Sequence, residues 1–197
     1  MANEDTPEED DGSSEDNMFE KLFRPPPYGS ISALMDADAA GSLSDEDFDR
    51  HLGWFLGRLL PLSPAECISI PEPVVVYWAT KLMEYNVFNG GFAQAAYNVP
   101  EWFEPAAIGF DLFGRPIAAD RIRQAAKLSQ SEQATVSWLK RRRAEIRAIF
   151  GHFRESALRG LDKDLYEIGW DVTAARIQLA RANREAFASL DKLGPEQ

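Results

Sequence analysis

The residue types best able to hold a ligand cluster in one short stretch, Asn89-Gly90-Gly91-Phe92 followed by Gln94 and Asn98. Adjacent glycines open backbone conformations closed to other residues, and such a turn ahead of a helix presents N–H groups that can bind an anion. The same residues also build a plain helix-to-helix turn, with Phe92 entering the core and the Gln94 or Asn98 amide satisfying broken backbone groups; that simpler account needs no ligand. A second grouping, Lys140, Arg141, Arg142 and Arg143 with Arg147, is the basic cluster of the chain. It could grip phosphate, an acidic partner or this chain's own acidic segment, and an ordinary solvated helix face explains it too. The third grouping is Asp36, Asp38, Asp45, Glu46, Asp47 and Asp49, six acids in fourteen residues with no base between them.

Enzymatic groupings are missing from this picture. His51 and His152 lie 101 positions apart with no Ser or Cys motif beside either, so no nucleophilic constellation is visible. Cys67 is the single cysteine, which rules out an internal disulfide and, with two histidines, any Cys/His zinc spacing. Asp162, Asp164 and Glu167 could take a cation, although acids at a helix start are the simpler account. The expectation is a protein that is not an enzyme, with no cofactor and no metal site.

The charge balance narrows the class of partner. The 197 residues carry 32 acids and 21 bases for a formal charge of −11, which disfavours direct nucleic-acid binding, because phosphates need cationic partners. The excess is local: residues 1–49 hold 15 acids and two bases, while residues 50–197 carry a net of +2. Met1 to Asn17 is acidic and almost free of large apolar residues, so it is expected to be disordered. Met18 to Phe23 has four large apolar residues and is expected to dock on the body. Arg24-Pro25-Pro26-Pro27-Tyr28-Gly29 then reads as a stiff polyproline spacer, with the short PPxY pattern as an alternative. No apolar run reaches the ~20 residues that cross a bilayer and the first residues are acidic rather than cationic, so the expected location is the cytoplasm, away from membranes.

From Ser30 the periodicity is helical, and it must place the three groupings. Ser44 caps a helix whose first turn is Asp45, Glu46 and Asp47 and whose apolar face is Phe48, Leu52, Phe55, Leu56, Leu59 and Leu60. Ser63-Pro64-Ala65-Glu66 repeats the start signal. Val74 to Trp78 has strand-like composition, but Val75, Trp78, Leu82 and Tyr85 keep a 3-4-3 spacing and no second strand exists to pair with, so a buried helix is expected, broken at Gly90-Gly91. Trp102–Phe113 and Pro116–Leu128 read as short helices. Ser131–Phe153 reads as a longer one, with Val136, Leu139, Ile146, Phe150 and Phe153 on a stripe that also holds Arg143. A last long helix carries Leu161 through Leu190 across Gly169. The fold class expected is all-α: a single-domain bundle of about seven helices over residues 30–197, preceded by a disordered acidic arm with its Pro-rich spacer over residues 1–29.

Tyr85-Asn86-Val87-Phe88-Asn89-Gly90-Gly91-Phe92-Ala93-Gln94 with Asn98 resembles the signature of a bacterial all-helical family known by its NGGF motif and typified by a dimeric DNA-mimic protein. Trp78 upstream, Ile122 to Leu128, and Leu161-Asp162 with Tyr166, Leu179 and Asn183-Arg184-Glu185-Ala186-Phe187 extend the resemblance over roughly residues 43–187. Ala95 and Ala96 stand where members carry aromatics, which leaves that packing surface to be filled differently, with Tyr97 the candidate. The resemblance brings no catalytic residue. It implies a non-catalytic interaction module that offers acidic surface to a protein partner of the basic, DNA-binding kind, and it raises a homodimer. Mimicry needs ordered acids at phosphate-like spacing, for which the row from Asp36 to Asp49 is the candidate. The alternative is an immunity or antitoxin-like protein that binds one partner by shape, through apolar exposure around Trp102 and Phe103.

Overall fold

A computed structural model describes residues 25–60, 63–142, 145–163, 165 and 167–193. The acidic arm, the Met18–Phe23 segment, Arg143, Asp164 and Tyr166 lie outside the described residues. Among the described residues there are eight α-helices, four short 3-10 turns and no strand. The helices are α1 (Ile31–Ala39), α2 (Asp45–Leu59), α3 (Glu72–Asn98), α4 (Phe103–Leu112), α5 (Pro116–Arg141), α6 (Ile146–Glu155), α7 (Thr173–Ala182) and α8 (Arg184–Ala188).

Local chemistry sets the helix starts. Ser30 Oγ accepts the Ala33 N–H at 3.1 Å, and the Asp191 carboxylate reaches back from the far end of the chain to accept Ile31 N–H at 2.8 Å and Ser32 N–H at 3.0 Å. Those bonds keep the first α1 amides from being orphaned, and with the Ser32 hydroxyl foremost they hold Asp191 below the usual carboxylate range against the opposing effect of burial. Ser44 caps α2 as its sequence predicts, with Oγ on the Asp47 N–H at 3.1 Å. Val74 to Trp78 is helical despite its strand-like composition, because Val74, Val76 and Tyr77 all gain burial in α3 that a lone strand could not offer.

Two apolar cores share α3. One gathers Ile31, Leu34, Phe48, Leu52, Leu56, Tyr77, Ile177 and Phe187 from α1, α2, the first part of α3, α7 and α8. The other gathers Met83, Phe92, Trp102, Phe103, Phe110, Ile122, Leu158 and Trp170 around the later part of α3, α4 and α5. At its centre Phe92 stacks on Phe103 at 6.4 Å and meets Trp170 edge-on at 5.5 Å.

The structure redraws several expected elements. Pro116 to Arg141 is one helix rather than a helix that ends at Leu128, because Ser129 and Ser131 turn their hydroxyls onto the Ala126 and Leu128 carbonyls and stay within it. The expected helix over Ser131–Phe153 is therefore divided between α5 and α6, and its stripe is divided too: Val136 and Leu139 are buried, while Ile146 and Phe150 are exposed. The long helix from Leu161 to Leu190 does not form. A 3-10 turn over Ala157–Leu161, Gly169 at φ +75° and the break at Asn183 leave α7, α8 and a final 3-10 turn instead. The proline spacer is partly built in, since Pro26 is buried and Tyr28 meets the His51 ring edge-on at 5.6 Å.

Candidate functional site

The Gly-Gly turn divides α3 in two. Gly91 sits at φ +74°, a left-handed value that glycine adopts readily, and a Cβ there would collide with the Asp162 carboxylate. Asp162 Oδ1 accepts the Phe92 N–H at 2.9 Å, so the anion that this turn holds is the chain's own side chain, capping the second part of α3. Burial raises the Asp162 pKa, with the Phe92 N–H and Arg159 opposing it. The amides complete the turn: Gln94 folds against Gly90, Asn89 Nδ2 donates to the Tyr85 carbonyl at 2.7 Å, and Asn98 Nδ2 donates to Asn86 Oδ1 at 2.8 Å. The six residues are brought together as a packed and capped joint, with Phe92 fully buried.

The acidic row meets arginines from the C-terminal helices, which no local pattern announces. Asp36 pairs with Arg184; Asp38 takes Arg181 in two hydrogen bonds, at 2.9 and 2.7 Å; Asp45 takes the same guanidinium at 2.8 Å. Asp47 pairs with Arg50 and accepts the Ser44 hydroxyl at 2.9 Å, and these two contacts, the serine foremost, lower its pKa. Glu46 is exposed and without such a partner among the described residues. The row is ordered, and these five acids, with Asp38 nearly covered by Arg181, stand against three arginines.

Asp49 departs from the row. It is buried between α2, α3 and α7, on a stripe with Leu52, Leu56 and Leu60, and cannot serve a surface partner. Its Oδ1 accepts Tyr77 Oη at 2.6 Å and Arg176 Nε at 3.1 Å; its Oδ2 pairs with Lys81 and takes Arg176 at 3.3 Å. Arg176, 1% exposed, also reaches Glu84 Oε2 at 2.8 Å and Thr173 Oγ1 at 3.4 Å, and its guanidinium lies over the Tyr77 ring. Burial opposes ionisation of Asp49, but Arg176 and Lys81 overcome it and hold its carboxyl below the usual range. For Glu84 burial wins and the pKa is raised, and for Lys81 burial lowers it. The network floors an open cleft of about 510 Å³ whose rim is Tyr85, Phe88, Asn89 and Asp171. Sequence reasoning missed Lys81, Glu84 and Arg176. The signal was present: Tyr77, Lys81, Glu84 and Phe88 follow a 4-3-4 helical spacing, and Asp49 interrupts an apolar stripe.

The basic cluster falls at the end of α5 and the start of α6. Lys140 lies over the Tyr97 ring at 5.2 Å, Arg141 Nε reaches the Ser137 carbonyl at 3.3 Å, and Arg142 and Arg147 are exposed. Trp138, Ile146 and Phe150 are exposed beside them. The apolar surface expected at Trp102 and Phe103 is corrected: both are buried in the second core, and the exposed apolar residues nearest in sequence are Ile108, Leu112 and Ile117. Asp162 is engaged at the Gly-Gly turn rather than in a cation site. His51 is buried against Tyr28, which, with Arg50, lowers its pKa.

Fold and charge together define an all-α protein whose helices are stitched by ion pairs, acidic on the α1–α2 side and basic at the α5–α6 junction. The chain belongs to the DMP19-like protein family, whose model matches residues 68–183. That span takes in α3 to α7, the Gly-Gly turn and every member of the buried network except Asp49. It is shorter than the span of roughly 43–187 suggested by the sequence resemblance, and it excludes the whole acidic row. No curated protein and no solved structure matches the chain.

Proposed function

We propose that this protein is a non-catalytic interaction module that occupies a basic surface of a nucleic-acid-binding protein. Membership in the DMP19-like family, a family of DNA mimics, carries this reading. The acidic row supports it in one respect, since the Asp36, Asp38, Asp45 and Asp47 carboxylates are fixed by caps and arginines, and rigid acids are what imitation of a phosphate backbone requires. The arginines reduce the charge on offer, so the partner must be cationic enough to compete with them. No helix among the described residues is long and apolar enough to cross a membrane. A homodimer would double the acidic surface, and sedimentation of the purified chain tests for it.

The experiment is affinity capture with the full chain, followed by challenge with duplex DNA and with salt. The expected result is a nucleic-acid-binding protein that is released by duplex DNA and whose retention falls steeply between low and moderate salt. Capture of a protein indifferent to both overturns the reading. That outcome would favour recognition by shape, for which the exposed Ile108, Leu112 and Ile117 supply the surface.

A further inference from the structure

We infer that the cleft between α3 and α7 is a receptor for an arginine side chain of a basic partner protein; this rests on the partner class proposed above and names the place where that partner is gripped. The cleft is a built site. Its floor is the Asp49–Arg176–Glu84–Lys81 network, its volume is about 510 Å³, and its aromatic wall Tyr85 stands 65% exposed. Exposed aromatic faces beside carboxylates are what a guanidinium requires, since it stacks on the ring and donates in the plane.

Counting the groups left over decides the sign of the ligand. Asp49 is saturated by Arg176, Lys81 and Tyr77. Arg176 is held by two carboxylates, and Lys81 shares one of them, so neither cation is bare. Among the described residues Glu84 uses only Oε2, toward Arg176, and Asp171 uses only Oδ1, toward the Thr173 N–H at 2.9 Å. Glu84 Oε1 and Asp171 Oδ2 therefore remain as acceptors, and the lining holds three acids against two bases. The raised pKa of Glu84 agrees, because a carboxylate under-compensated by its surroundings gains from another cation. The cleft is also open, which suits a side chain presented by a larger surface better than a small molecule that must be enclosed to bind. Except for Asp49, every lining residue falls within the span matched by the family.

The test titrates a short oligoarginine peptide into the full chain by calorimetry. The variants leave the buried network intact: Tyr85→Ala removes an exposed ring, and Asp171→Asn keeps the Oδ1 that caps Thr173 while losing the charge. The double variant is expected to weaken the peptide by about tenfold or more, while Glu185→Gln, the same charge change at an exposed site elsewhere, changes it by less than about twofold. An oligolysine of equal length, unable to stack and fork, binds more weakly. Equal loss in the double variant and Glu185→Gln means diffuse attraction and overturns the proposal, as does no loss in either. The two readings fail separately. If a captured DNA-binding protein is released by duplex DNA but binds the double variant as well as the parent, the cleft proposal is wrong and the function stands. If no such protein is captured while oligoarginine binding is lost in the double variant alone, the cleft stands and the partner class is wrong.

Discussion

Asp45 and Asp49 lie one helical turn apart on α2, and the fold uses them in opposite ways. Asp45 meets Arg181 at the surface, where both partners keep much of their hydration. Asp49 meets Arg176 in the floor of the cleft, where burial strips most of their hydration and each must be answered by the other. A surface pair is worth little and can be exchanged for a partner's charge; a buried pair contributes little net energy, yet breaking it strands a charge in apolar surroundings. One acidic run therefore carries both a surface open to exchange and a fastening for α2, α3 and α7.

The largest effect should come from breaking the fastening. Arg176→Ala leaves Asp49 and Glu84 buried with Lys81 as the remaining cation, and a loss of about 3–5 kcal/mol in denaturant unfolding is expected. Arg176→Lys should recover only part of it, because an ammonium cannot reach both carboxylates in a fork. A loss below about 1 kcal/mol for Arg176→Ala would mean that the interior pair behaves like a surface pair, and the contrast would disappear. Next in size is the joint in α3. Gly91→Ala places an L side chain at φ +74° and drives Asp162 off the Phe92 N–H, for about 2–4 kcal/mol. In the Asp162→Ala background the same change should cost less, since the collision is gone, and a double-mutant cycle measures the difference.

Acid titration sharpens the comparison within the network, where the two acids have opposite signs. Asp49 has a lowered folded-state pKa, so its contribution is present above the ordinary value near 3.9 and is lost as pH falls through the lower folded value. Glu84 has a raised folded-state pKa, so stability increases as pH falls through that value toward the ordinary one near 4.3. The stability of the parent should pass through a shallow maximum in mildly acidic solution. Glu84→Gln should shrink the upper limb to the part that the raised Asp162 supplies, and Asp49→Asn should shrink the lower one to the part that Asp47 and Asp191 supply; unchanged profiles in both would break the assignment.

Much of the local structure was legible because it depends on neighbours in sequence. Ser44 with its three following acids marks α2, the 3-4-3 spacing carries Val74–Trp78 into a helix, and Gly90-Gly91 marks the break in α3. What failed depended on partners far away. Ser129 and Ser131 read as a boundary, but their hydroxyls satisfy the carbonyls of the same helix. The apolar series from Leu161 to Leu190 reads as one helix, yet Gly169 turns the chain so that Trp170 can reach Phe92 and Phe110. The acidic row looked unopposed because Arg181 and Arg184, two of its three arginines, arrive from positions more than 130 residues later. The Gly-Gly turn was legible as a turn, but its capping carboxylate, 70 residues away, was not.

The smallest stability effect belongs to the surface pairs, where the functional effect should be the clearest. Arg184→Gln removes an exposed partner of Asp36 and should cost about 0.5 kcal/mol or less, within the range of solvent-exposed pairs. It also raises the negative excess of the row by one charge. If the row faces a cationic partner, the variant should bind that partner more tightly and with a steeper dependence on salt, because more counterions are released when the surfaces meet. Stability and affinity then move in opposite directions from one substitution. Were affinity to fall with stability, Arg184 would be touching the partner itself, and the row would be a mixed-charge surface rather than an acidic one.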